Sequence, residues 1–125
     1  MGGGADGGGA VDVVRRMLAA QDAGRLDEVL TLADPAIVIR PLTRPGLSVY
    51  HGHAGLRDLL DNAGRAVGAH RVEWGELSEP APGTVTAVST VLLLEDGGER
   101  VIARIRNEFV VRDGLVTEYD SFPAD

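Results

Sequence analysis

Apolar residues recur at helical spacing from Val11 to about Asp22. Val11, Val14, Met17 and Leu18 share one face, while Arg15, Arg16 and Asp22 fall elsewhere on the wheel. Ala23-Gly24 stops that helix. A shorter stripe of Leu26, Val29 and Leu30 predicts a second helix over RLDEVLTLA, ended at Asp34-Pro35 because proline disfavours helix in the residue before it. The β-branched AIVIR, Ala36 to Arg40, reads as a strand. Pro41, Pro45 and Gly46 then mark a loop, and LSVYH a short strand. Leu56, Leu59, Leu60, Ala63 and Val67 place a third helix over Gly52 to Val67. Strand-like runs follow at His70 to Ser78, Thr84 to Glu95, Glu99 to Arg112 and Leu115 to Phe122. PAPG, DGG and Asp113-Gly114 separate them, and the last two are strong hairpin signals. The order is helix, helix, strand, helix, then an antiparallel meander: an α+β fold.

In the two long strands the alternation partly fails. VSTVLLL and RVIARI carry apolar residues on both faces, whereas a sheet with one wet face alternates cleanly. The helices cover only the concave side, so the outer face is expected to meet a second copy of the chain, giving a homodimer through the sheet.

Composition narrows the function classes. With 125 residues the chain suits one domain. Residues 1–10, opening MGGGADGGG, read as a flexible tail, and residues 11–125 as the domain. The formal net charge of -7 disfavours nucleic acid and anionic membrane as partners. All twelve basic residues are arginine, which excludes a Schiff-base lysine in this chain, and the absence of cysteine excludes thiolate chemistry and disulfides. No apolar run approaches the ~20 residues of a membrane span, and no secretory leader is evident, so the expected location is the cytoplasm. His51 and His53 form H-G-H, but a metal site needs a further ligand with suitable geometry; His70 is the remaining histidine, and neither a metal nor any other cofactor is expected.

Three stretches, VVRRMLAAQDAGRLDEVLTLADPAIVIRP, YHGHAGLRDLL and RNEFVVRDGLVTEYDSF, resemble the SnoaL-like family of the nuclear transport factor 2-like superfamily. The A-G-x-L-D link before Asp34-Pro35, the Arg40-Pro41 strand end and the Gly-His-x-Gly-Leu-Arg helix start carry the resemblance in order. It implies a cone: a strongly curved antiparallel sheet wrapped on three helices, enclosing a pocket. It also implies polyketide cyclase, ketosteroid isomerase or epoxide hydrolase relatives, among which fold alone does not choose. The isomerase pattern fails here, since its base, tyrosine and protonated aspartate fall on Arg40, Met17 and Asn107. An arginine accepts no proton at neutral pH. In the hydrolase pattern the last aspartate falls on Ser121, with Asp120 out of phase, and the middle pair falls near Ile105 and Asn107. A cyclase-like base remains open, with Asp120 and His70 as loose candidates.

Extending the family's strand phase implies that Ile105, Asn107, Phe109, Tyr119 and Ser121 point inward, and Arg104, Arg106 and Glu108 outward. Met17, Arg40, Leu59 and Trp74 complete the expected ligand-binding set, and Asn107, Tyr119 and Asp120 the expected catalytic set. Each also has a purely structural reading: an ion pair for Arg40, backbone satisfaction for Asn107, core packing for Trp74 and Tyr119. The leading expectation is a protein that binds or transforms a small, mainly apolar organic molecule. The competing one is a dimeric accessory module whose cone is plugged by Met17, Trp74 and Phe109.

Overall fold

The computed structural model describes residues 9–41, 49–67 and 69–124, with residues 62–67 described by backbone alone. The tail through residue 8, the loop residues Pro45 and Gly46, Leu47 and Ser48 of the expected short strand, and the side chains of Ala63 and Val67 lie outside the described residues.

Helix α1 spans Ala10–Asp22 and α2 spans Leu26–Thr31. Val13, Val14, Met17, Leu18 and Ala20 of α1 and Val29 and Leu30 of α2 are buried. Strand β1 runs Ala33–Arg40, three residues earlier than the β-branched run suggests. Pro35 is tolerated there because the start of β1 is irregular: between Ala33 and Val38 the pairing with the last strand slips. Asp34 supports the bend by accepting a hydrogen bond from the Ala36 amide at 2.7 Å. Strand β2, Tyr50–His51, leads directly into α3, Gly52–Val67, as the apolar spacing predicts. Gly52 sits at φ +70°, and a Cβ there would approach the Pro35 carbonyl oxygen to 3.1 Å, so the strand-to-helix corner requires glycine.

The meander comprises β3 (His70–Trp74), β4 (Ser78–Ala81), β5 (Thr84–Glu95), β6 (Gly98–Arg112) and β7 (Leu115–Pro123). What reads as one strand from His70 to Ser78 is two, β3 and β4, both paired with β5 and broken around Gly75, whose amide bonds the Val88 carbonyl at 2.8 Å. Asp113 and Gly114 both have positive φ, 53° and 79°, the turn that lets β6 and β7 close as a tight hairpin. Among the described residues the sheet has seven strands in the order β2-β1-β7-β6-β5-β3, with β4 beside β5. All pairs are antiparallel except β1 with β7, which are parallel. The sheet is curved and does not close, and the helices lie in its concavity.

Period-two burial along β6 is regular from Asn107 to Val111, with Asn107, Phe109 and Val111 buried between half-buried neighbours. Further up, the pairing of β5 with β6 slips: Val91 faces Ala103 but Leu92 faces Val101. This β-bulge explains part of the failed alternation, because it moves Val101 onto the face that carries Leu92 and Leu94. Leu94, Val101 and Ile102 are 44%, 53% and 40% exposed. No helix among the described residues is long and apolar enough to cross a membrane.

Candidate functional site

The inner face of the sheet is set by cross-strand register. Asn107 lies opposite Ala87 on β5 and Ser121 on β7; Phe109 lies opposite Val85 and Tyr119; Ile105 lies opposite Ser89, which lies opposite Trp74 on β3. Residues directly opposite share a face, so these side chains converge on the concave side. Phe109 and Tyr119 stack at 4.6 Å between centroids, 6° from parallel, and Trp74 leans on Phe109 at 6.4 Å and 52°. This places Trp74 inward.

Two polar groups are buried within this apolar floor: Ser89, 3% exposed, and Asn107, 1% exposed. The Asn107 nitrogen donates to the Ser89 hydroxyl at 3.0 Å, the Ile105 carbonyl at 3.1 Å and the Ala87 carbonyl at 3.2 Å, sharing its two hydrogens among three acceptors. The Tyr119 hydroxyl donates to Asn107 Oδ1 at 2.6 Å. Burial raises the Tyr119 pKa above the ordinary phenol value, so this group is neutral at physiological pH. Asn107 therefore spends its donors on the protein itself. Its oxygen accepts the Tyr119 hydroxyl, so both ends of the amide are engaged within the protein.

The expected ligand residues divide in two. Met17 and Phe109 are closed off within the main core cluster, at 6% and 2% exposure. Leu59, Leu60, Trp74 and Tyr119 pack against that cluster yet remain only half-buried, as do Ile105 and Ser121. Tyr119 is thus half-buried as a residue, while its hydroxyl lies deep enough for burial to raise its pKa.

Arg40 and Asp120 are elsewhere. Ile39 is paired with Tyr119 on the inner face; the next pair in register, Arg40 with Asp120, points the other way. There Arg40 Nε bonds Asp120 at 2.6 Å and Arg40 Nη2 bonds Glu118 at 2.6 Å. The bonds to Asp120 and then Glu118 raise the arginine pKa further. Arg40, of the expected ligand-binding set, and Asp120, of the expected catalytic set, form an exposed ion pair on the outer face. Arg106 likewise lies outward, 5.1 Å over the Phe122 ring.

His53 is not solvated as a first-turn side chain usually is: its Nε2 lies 2.9 Å from the Ala33 carbonyl, tethering α3 to β1. Since a carbonyl only accepts, Nε2 is the donor. Among the described residues no group of three metal-ligating side chains gathers. Beside the end of α1, an open groove of about 510 Å³ is lined by Gln21, Asp22, His70, Arg71 and Val72. Ser89 is not among the residues expected from the sequence, although it stands in phase with Val85 and Ala87 on β5. That phase was the available signal.

The model of the SnoaL-like domain matches residues 14–119. Among solved structures, TerC co-crystallised with polyporic acid is similar over 92% of this chain and 91% of its own, with 18% identity and a TM-score of 0.76. Bal32a from a soil-derived mobile gene cassette gives 93% and 89% coverage, 16% identity and a TM-score of 0.78. An LEH-like epoxide hydrolase of M. tuberculosis gives 92% and 82% coverage, 20% identity and a TM-score of 0.67. At these identities the likeness is one of fold. No curated protein sequence matches the chain.

Proposed function

This chain belongs to the SnoaL-like domain family, and from that premise we propose that it binds a small, mainly apolar organic molecule in the concavity of its sheet. The observation that carries the reading is the partial exposure of side chains that pack on the core from the inner face. Leu59, Leu60, Trp74 and Tyr119 are half-buried where a solid interior would close them. A recess lined by aromatic and aliphatic groups, with few polar atoms, is the usual form of a small-molecule site. Binding is favoured over turnover, because Asn107 is committed to its own neighbours, Tyr119 is a neutral phenol and Asp120 lies outside.

The test is thermal denaturation of the whole protein against a panel of hydrophobic acids, ketones and epoxides that includes polyporic acid. A ligand that binds the native state raises the melting temperature by mass action, by several degrees at a hundredfold excess over Kd for a domain of this size. A flat response across the panel would sink the pocket.

A second reading, an accessory module with a filled cone, has its own support in the closure of Met17 and Phe109 within the core. The flat panel would favour it. Under either reading we place the chain in the cytoplasm as a homodimer through the outer sheet face, where Leu94, Val101 and Ile102 are exposed. A monomer in sedimentation velocity at micromolar concentration would remove the dimer.

A further inference from the structure

The Asn107 amide has one workable orientation. The Ala87 and Ile105 carbonyls stand 3.2 and 3.1 Å from Nδ2, and carbonyl oxygens only accept. Turning the amide over would press Oδ1 against both oxygens and leave two buried acceptors facing a third. Nitrogen must therefore face the strands, and Oδ1 must face Tyr119. Oδ1 carries no hydrogen, so the 2.6 Å contact makes the phenol the donor. A phenol has a single hydrogen. Once it is committed to Asn107, the Tyr119 oxygen has only lone pairs left to offer.

Resting on the pocket reading above, we propose that Tyr119 is the specificity-determining acceptor of the site, selecting flat aromatic ligands that carry a hydroxyl over ketones and ethers of the same outline. A tyrosine in a recess is ordinarily expected to donate to a carbonyl; here the amide lock reverses its polarity. The apolar surface comes from the half-buried Tyr119 and Trp74, which Phe109 backs from within the core: Tyr119 lies parallel on Phe109, and Trp74 tilts against it. The phenol is neutral and a poor base, so the ligand's hydroxyl keeps its proton and no bond changes hands. Tyr119 acts as a binding residue, and Asn107 as the residue that positions it.

Three naphthalenes of similar shape separate the possibilities: 2-naphthol, 2-methoxynaphthalene and 2-acetylnaphthalene, titrated by calorimetry against wild type and Tyr119→Phe. Wild type is expected to bind 2-naphthol about tenfold tighter than the ether, the worth of one hydrogen bond of typical strength. Tyr119→Phe should erase that preference and leave the ether and the ketone unchanged. Equal binding of naphthol and ether by wild type overturns the inference while leaving the pocket standing. So does a loss of ketone affinity in Tyr119→Phe, since that would make the tyrosine a donor. If wild type binds none of the three, and the broader panel is also flat, the pocket reading falls and takes this inference with it. Should Tyr119→Phe fail to fold, the wild-type ranking of naphthol against ether decides alone.

Discussion

The two faces of this sheet solve the same problem differently. On the inner face, polar atoms are few and uncharged, and they are bonded to one another and to backbone through Asn107, Ser89 and Tyr119. On the outer face, ions are paired in the open: Arg40 with Asp120 and Glu118, Arg71 with Glu73 and Glu99. The inner bonds are shielded from water, and losing one partner strands another. The outer pairs exchange readily with solvent and are weakened by salt. Similar distances therefore stand for very different energies, and function is to be sought where a lost bond cannot be replaced by water.

Substitutions on the two faces test that contrast. Phe109→Ala should have the largest effect, about 3–5 kcal/mol of stability, because it empties the centre of the Trp74–Phe109–Tyr119 cluster. Urea unfolding measures it, and a loss below about 1 kcal/mol would mean the cavity collapses or was already open. Asn107→Ala should cost about 1–3 kcal/mol, the usual penalty for buried groups left without partners, here including the Tyr119 hydroxyl. The same denaturation curves report it, and high salt should leave the loss unchanged. Arg40→Ala on the opposite face should cost under about 1 kcal/mol, and that difference should shrink further in 1 M NaCl. If Arg40→Ala proved costlier than Asn107→Ala, the contrast between the faces would be wrong.

Much of the architecture was legible because it follows from periodicity. The 3.6-residue spacing of Leu56, Leu59 and Leu60 located α3, and Asp113-Gly114 located the last hairpin, whose two positive φ angles few other residue pairs accept. The family resemblance, extended along the strands at period two, implied that Asn107, Phe109 and Tyr119 face inward. The same alternation, followed one residue further from Ile39, would have put Arg40 outside; setting the strand end beside the pocket by resemblance concealed it. The Val101–Ala103 slip was not legible, since a bulge is decided by the partner strand rather than by local preference.

The sequence by itself determined the elements and their order, because helix and strand periodicities are local properties of consecutive side chains. Only the tertiary structure decided what Asn107 does. Three of its four partners, Ala87, Ser89 and Tyr119, lie 12 to 20 residues away along the chain. A hydrogen bond depends on angstrom-scale distance and direction between groups that folding brings together, and no local pattern encodes those.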